Sequence, residues 1–253
     1  MFKSIKVRTS QGRQYIADPR RAEPVGFRAA PHVSSTPCEA GCDACVEVCP
    51  TQAIALCQGA DAVRIDLGRC VMCGDCIAEC PTGTLSASSV FKLAAAERQG
   101  LMVGTARPVP EPLQVSAALH QRFGRSLKLR SVSSGGCNAC ELEMHALSNV
   151  NFDIGRYGID FVASPRHADG LVLTGPMTRN MASALQLCWD AMPAPKFVIA
   201  VGACAISGGP FDGSEALERG FLEQFAPTLY VPGCPPHPLT FVCGVLDLLG
   251  IES

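Results

Sequence analysis

The residues best able to do chemistry in this chain are its 15 cysteines, and their spacing says more than their number. Cys42, Cys45 and Cys49-Pro50-Thr51 recur 31 residues later as Cys73, Cys76 and Cys80-Pro81-Thr82, so the segment consists of two equal halves. The second half reads Cys70-x2-Cys73-x2-Cys76-x3-Cys80-Pro81. In that spacing three closely set thiolates clasp one face of a 4Fe-4S cubane, and the fourth reaches a neighbouring cluster. The first half, Cys38-x3-Cys42-x2-Cys45-x3-Cys49-Pro50, carries one extra residue between its first two cysteines, which a cluster-binding turn can absorb. The cross-over assigns Cys38, Cys42, Cys45 and Cys80 to one cluster and Cys70, Cys73, Cys76 and Cys49 to the other. Pro50 and Pro81 end each run by fixing φ.

Two rivals use similar spacing. Tetrahedral zinc accepts paired Cys-x2-Cys, but eight cysteines in two runs that each end in Cys-Pro exceed what zinc requires. The segment Cys38-x3-Cys42-x2-Cys45 also spells the signature of radical-SAM enzymes; the following Cys49-Pro50 and the repeat mark this as coincidence.

Elements must carry these groups. Ala53-Ile54-Ala55-Leu56 and Thr84-Leu85-Ser86 read as short strands that close the two halves. Residues 1–37 form a basic arm of net charge +5, with Lys3, Lys6, Arg8, Arg13, Arg20, Arg21 and Arg28 against Asp18 and Glu23. Such an arm is either a solvated extension or a strap along an acidic neighbouring subunit. Residues 38–100 make the two-cluster domain, and residues 101–126, broken by Pro108, Pro110 and Pro112, are a linker with a short amphipathic helix over 113–123. In residues 127–253 the periodicity alternates: strand 127–133, helix 139–149, strand 159–163, strand 170–174, helix 180–191, strand 196–201, strand 228–231 and helix 237–249. Apolar runs such as Phe197-Val198-Ile199-Ala200-Val201 indicate a doubly wound, mainly parallel sheet. The expected fold is an α+β ferredoxin-like domain with two 4Fe-4S clusters followed by an α/β doubly wound, flavodoxin-like domain.

Ligands on such sheets bind beyond the carboxyl ends of the strands. Cys137 and Cys140 follow the first strand, Cys204 a central one and Cys234 the last, each in a Gly- or Pro-rich turn, so these four can converge on a third 4Fe-4S cluster. Cys188 and Cys243 lie in apolar stretches and read as core fillers, and Cys57 has no assigned role.

Composition narrows the partners. Apolar residues make up 47% and charged residues 17%, the reverse of a disordered chain. A net charge of -2 gives no field for nucleic acid, and no apolar run approaches the ~18 residues of a membrane span. The N-terminus lacks a signal-peptide pattern, and Arg20-Arg21 is followed by Ala-Glu-Pro rather than an apolar segment, so a cytosolic location with reduced thiols is expected.

The stretches Leu127 to Arg130, Gly136-Cys137-Asn138-Ala139-Cys140-Glu141-Leu142-Glu143, Ala163 to Asp169, Val201-Gly202-Ala203-Cys204 and Pro232-Gly233-Cys234-Pro235-Pro236 resemble the small subunit of energy-converting NiFe hydrogenases related to respiratory complex I, of the formate hydrogenlyase type. The N-terminal half separately resembles the two-cluster ferredoxin-like subunit of the same complexes, including Phe27-Arg28, so nearly the whole chain reads as a fusion of two subunits. The resemblance implies that Cys137, Cys140, Cys204 and Cys234 bind the cluster nearest the active site of a large subunit. Two residues, Asn138-Ala139, separate the first pair as in hydrogenase small subunits; in quinone-reducing complex I the corresponding cysteines are adjacent. Ala139 stands where members of the family often carry Gly.

On this reading the chain conducts electrons through three 4Fe-4S clusters between an electron donor or acceptor protein and a NiFe site on a hydrogenase large subunit. Membrane-arm subunits would hold it on the cytoplasmic face of the inner membrane. No Walker A loop or Gly-x-Gly-x-x-Gly is present to bind a nucleotide. With four thiolates an oxidised 4Fe-4S core carries about -2, so Arg166 and His167 are candidates for stabilising its reduction. Glu143, matching an acidic position of the family, is the candidate for proton transfer, whereas His145 and His237 read as structural. Two other functions fit the same residues: the equivalent subunit of a quinone-linked complex without nickel, and a stand-alone ferredoxin-type carrier.

Overall fold

A computed structural model describes residues 2–12, 14–24, 26–57 and 63–251. Arg13 of the basic arm lies outside the described residues. The strands are β1 (His32–Val33), β2 (Ile54–Leu56), β3 (Val63–Asp66), β4 (Leu85–Ser86), β5 (Met102–Gly104), β6 (Leu127–Ser133), β7 (Ile159–Phe161), β8 (Gly170–Thr174), β9 (Phe197–Val201) and β10 (Leu229–Val231).

The 31-residue repeat is visible in the backbone. Helical turns Ala44–Glu47 and Asp75–Ala78 occupy equivalent places, each led in by a left-handed residue, Gly41 (φ 78°) and Met72 (φ 55°). Each is followed by another, Gln52 (φ 51°) and Gly83 (φ 69°). The strands read at the ends of the two halves are present but do not pair with each other. β2 pairs antiparallel with β3, and β4 with β1, which comes from the basic arm; β5, from the segment read as linker, adds to the other edge of β3. Val33 and Val103 explain this recruitment, since both are buried to 2% exposure in the front core.

The arm is therefore mostly fastened. Its helix Phe2–Gln11 has no buried residue. Beyond it Arg20 pairs with Asp247 at 2.7 Å and donates to the Ile251 carbonyl at 2.8 Å. Phe27 packs on the His237 ring with centroids 4.8 Å apart. The acidic neighbour that Arg20 finds is the chain's own last helix.

The rear module is a parallel sheet in the order β7-β6-β8-β9-β10. Every residue of β8 and β9 is buried, as expected of strands covered on both faces. Alternate residues serve different layers. Val172, Ile199, Val201, Leu229 and Val231 pack against Phe241, Val245 and Leu246 of helix Pro238–Leu249. That helix is apolar all round and buried except at Asp247, the partner of Arg20. Pro238 at its first position, the His237 cap and left-handed Gly250 (φ 60°) fix its ends.

The opposite face, with Leu171, Leu173, Val198 and Ala200, meets Trp189 of helix Arg179–Ala191. The same apolar cluster continues into Ile65, Leu67 and Leu101 of the front module. At ~1.5–3 kcal/mol per buried aliphatic side chain, this shared core joins the two modules by far more than a tether. The helix read over 113–123 begins later, at Ala117, where Ser116 Oγ accepts from the Leu119 N–H. The helix read over 139–149 ends at Ala146, and the strand over 159–163 ends at Phe161.

Candidate metal centres

Three groups of four thiols come together. In the front module Cys45 is acted on by Cys38, Cys42 and Cys80, whereas Cys76 is acted on by Cys70, Cys73 and Cys49. Cys49 and Cys80 thus each leave their own run and join the opposite one. The two quartets adjoin, because Cys45 also acts on Cys76. Burial, reinforced by the neighbouring thiols, pushes Cys70 up to about 11 and Cys76 up to about 12.

Hydrogen bonds to sulfur repeat between the halves. The Ala53 N–H donates to Cys49 Sγ at 3.2 Å and the Leu85 N–H to Cys80 Sγ at 3.4 Å, and Thr51 and Thr82 hydroxyls stand 4.0 and 3.8 Å from the same two sulfurs. Burial opposes ionisation of Cys80, but these donors outweigh it and hold its pKa below the usual thiol value. Cys49, Cys70, Cys73 and Cys76 line a cavity together with Pro31, Ile54 and Ile65.

The rear quartet lies at the carboxyl ends of the strands. Cys137 and Cys140 follow β6, Cys204 sits in the short helix Ala203–Ser207 after β9, and Cys234 follows β10. Asn138, left-handed at φ 68°, turns the chain between the first two, a conformation Asn tolerates. Burial pushes Cys140 up to about 12, with Glu141, Cys204, Cys234 and Cys137 adding to it, and Cys204 up to about 11, with Cys234 and Cys137 adding. Cys234 is raised by burial and by Cys137. Gly202 has φ 89°, and a Cβ there would stand 2.7 Å from Cys140 Sγ, so only glycine leaves the space beside that sulfur open.

The donor sets suit iron-sulfur centres. The thiols whose pKa burial raises, Cys45, Cys70 and Cys76 in front and Cys140, Cys204 and Cys234 at the rear, resist ionisation unless a cationic core binds beside them. Among the described residues no three His, Cys, Asp or Glu side chains are close enough to hold one metal ion.

The charged residues around the rear quartet differ from those expected. Arg166 and His167 are exposed, in a turn whose two ends are tied to the lower half of β6: the Val162 N–H donates to the Leu129 carbonyl at 2.8 Å and the Asp169 N–H to the Lys128 carbonyl at 2.7 Å. The cysteines lie past Ser133, about 13 Å further along the strand at ~3.3 Å per residue. The cation acting on the quartet is Arg219, which donates to the carbonyls of Cys204, Ala205 and Ile206 at 3.1, 2.9 and 3.0 Å.

Glu143 is half-buried, and burial raises its carboxyl pKa. The acid that touches the rear site is Glu141, 9% exposed, which accepts from Thr174 Oγ1 at 2.7 Å. Burial works against its ionisation, but hydrogen bonds from Ser133 and Thr174 prevail and lower its pKa. Glu141 sits in the first turn after Cys140, where an acid also suits the helix dipole, and that ordinary reading conceals it; Arg219, in an irregular segment, has no sequence signal.

The three remaining cysteines lie outside the quartets. Cys243 is buried at 1% exposure, and burial pushes its thiol up to about 12. Cys188 is half-buried beside Arg130, and Cys57 is half-buried just past β2.

Residues 37–84 match the 4Fe-4S dicluster domain, and residues 137–248 match the family of the 20 kDa subunit of NADH ubiquinone oxidoreductase. A Pyrococcus furiosus protein named as a probable membrane-bound hydrogenase subunit is 40% identical over 131 residues, covering 51% of this chain and 78% of the relative. The chain belongs to the 20 kDa subunit family. Two further relatives are formate hydrogenlyase subunit 7 of Escherichia coli, 39% identical over 58% of this chain, and a subunit of the F(420)H(2) dehydrogenase of Methanosarcina mazei, 45% identical over 45% of it. The chain spans 60% of the length of each of these two. Here the 20 kDa-type domain follows a dicluster domain within one polypeptide, so the front module carries iron-sulfur clusters.

Proposed function

We propose that this chain is the electron-transfer subunit of a multisubunit, membrane-associated NiFe hydrogenase. Cys38, Cys42, Cys45 and Cys80 would hold one 4Fe-4S cluster, Cys49, Cys70, Cys73 and Cys76 a second, and Cys137, Cys140, Cys204 and Cys234 a third. When bound, these clusters supply one-electron redox chemistry. The observation that carries the reading is the gathering of twelve cysteines into three groups of four, the two front groups adjoining each other and the rear group meeting the front module through Ile206 of the shared core. Cys45 acts on Cys76 at one junction, and Gly68, two residues before Cys70, packs on Ile206, two residues after Cys204, at the other.

The protein's own part is to hold, orient and tune. Backbone N–H groups of Ala53, Met72 and Leu85 point at cysteine sulfurs in the front module, and at the rear Glu141 and Arg219 place opposite charges beside Cys140 and Cys204. The exposed rear rim, with Cys137 and Cys234 at the surface, is the face we assign to a large subunit carrying nickel and iron. Glu143 would relay protons there, consistent with burial raising its pKa.

The strand order β7-β6-β8-β9-β10 is the 2-1-3-4-5 arrangement of flavodoxin-like sheets, and supports that name for residues 127–253, with the ferredoxin-like module over 38–100 extended by β1 and β5. No helix among the described residues is long and apolar enough to cross a membrane. Attachment to the cytoplasmic face would pass through membrane-arm subunits, as would contact with the electron donor or acceptor protein.

The 45% identity to a subunit named for an F(420)H(2) dehydrogenase and not for a hydrogenase favours a second reading, the equivalent subunit of a complex-I-like, quinone-linked oxidoreductase lacking nickel. Anaerobic purification of the full chain with its native partners decides between them. Nickel that follows a co-purifying large subunit is expected; a stable complex free of nickel supports the second reading, and a monomer with no large partner supports a stand-alone carrier.

A further inference from the structure

We propose that Arg219 is a positioning residue that sets the redox potential of the rear centre, an inference that rests on reading Cys137, Cys140, Cys204 and Cys234 as the ligands of a 4Fe-4S cluster. The helix Ala203–Ser207 that presents Cys204 is five residues long and ends in carbonyls with few helical partners. Arg219 meets them. Its Nη1 donates to the Cys204 carbonyl at 3.1 Å and the Pro176 carbonyl at 3.5 Å, and its Nη2 donates to Ala205 at 2.9 Å and Ile206 at 3.0 Å. No element of the sheet supplies this side chain. It hangs from an irregular segment anchored where the Glu218 N–H donates to the Met177 carbonyl at 2.8 Å and Thr178 bridges Leu217.

The surrounding charges leave Arg219 poorly neutralised. Asp212 and Arg98 are the charged side chains acting on it, beside Cys204 itself. Asp212 is engaged by Arg69 at 2.7 Å, and Arg98 is engaged by Asp66 through two bonds of 2.8 and 2.5 Å. Three guanidinium groups therefore face two carboxylates across this junction. The unmatched cation adjoins Cys204 in a half-buried setting, where charge is screened less than in water. One-electron reduction adds one negative charge to the centre, and a fixed cation stabilises the reduced form over the oxidised one. All four carbonyl bonds of Arg219 also keep the Cys204 backbone in place, which is why the effect must be read from the potential and not from activity.

The test is an EPR-monitored redox titration of the full chain, isolated anaerobically, with dithionite as the one-electron reductant. At the potential where the parent's rear centre is half reduced, Arg219→Gln is expected to lower its reduced-to-oxidised ratio about tenfold, equivalent to ~59 mV for a one-electron couple. The front centres should not move, and Arg219→Lys should keep the ratio within about threefold of the parent because it retains the charge. Asp212→Asn, which removes a carboxylate without touching the carbonyl clamp, should shift the ratio the other way. It decides the matter if Arg219→Gln fails to assemble the rear centre. A rear midpoint unchanged in both Arg219→Gln and Asp212→Asn, or a downward shift in Asp212→Asn, overturns the proposal. A parent chain with two EPR centres and eight irons overturns the three-cluster reading beneath it, a result distinguishable from an unmoved third centre.

Discussion

Gly68 of the front module packs directly on Ile206 of the helix that carries Cys204. A Cβ at position 68 would stand 2.7 Å from Ile206 Cγ2 and 2.9 Å from Arg98 Cζ. The contact lies two residues from Cys70 on one side and two from Cys204 on the other, so it governs how closely the Cys70 and Cys204 quartets approach. Arg69, next in the chain, crosses the same junction to Asp212 at 2.7 Å.

Gly68→Val is expected to wedge this junction. Overpacking of this kind costs about 1–3 kcal/mol, because Ile206 and the Arg98–Asp66 pair must move. Chemical denaturation of the full chain checks the stability loss, and rapid-mixing reduction checks slower filling of the rear centre with all irons retained. An unchanged rate and midpoint would mean that the junction does not set the approach.

Gly202→Ala should remove the rear centre selectively. The new methyl would sit 2.7 Å from Cys140 Sγ, on a backbone at φ 89° that alanine disfavours. Iron analysis is expected to fall from about twelve to about eight per chain while both front signals persist. Retention of all the iron would separate Cys140 from the rear site.

The cross-over of the front quartets can be read by substitution in pairs. Cys80→Ser should give the same EPR loss as Cys38→Ser, and Cys49→Ser the same as Cys70→Ser, although Cys49 lies in the run of Cys45 and Cys80 in the run of Cys76. If Cys80→Ser instead matches Cys70→Ser, each run holds its own cluster.

His237 gives the fold an acid sensitivity. Burial holds its pKa below the ordinary histidine value, and its Nδ1 accepts from the Leu239 N–H at 3.1 Å, a bond the neutral ring alone can accept. A histidine with a depressed folded pKa contributes stability that is complete above the unfolded value near ~6.5 and is lost as pH falls below it. His237→Asn keeps a capping side chain and should flatten that part of the curve. Denaturation midpoints measured between about pH 5 and 7.5 check it; parallel curves for parent and variant would contradict it.

The cysteine groupings and the rear strands are legible in the sequence because both follow short-range rules. The repeat places Cys49 and Cys80 through a known spacing, and runs such as Phe197–Val201 are apolar throughout. What is illegible is set by contacts far apart in the chain. His32–Val33 and Met102–Gly104 are too short to show a strand pattern, yet both join the front sheets by pairing with distant residues. Arg20 meets an acid, but that acid is Asp247 at the other end of the same chain. Arg166 and His167 occupy a basic turn that nothing in the sequence assigns to one rim or the other. β7 stops after three residues, at Phe161, and leaves the turn tied low on β6. The cation at the rear quartet comes instead from Arg219, which no periodic element announces.

The most direct measurement is the iron and acid-labile sulfide content of the anaerobically isolated full chain, taken together with its EPR spectrum after stepwise reduction. About twelve irons and three distinguishable centres are predicted from three cubanes. Eight irons with two centres would leave Cys137, Cys140, Cys204 and Cys234 without a cluster, and zinc in place of iron would remove electron transfer altogether.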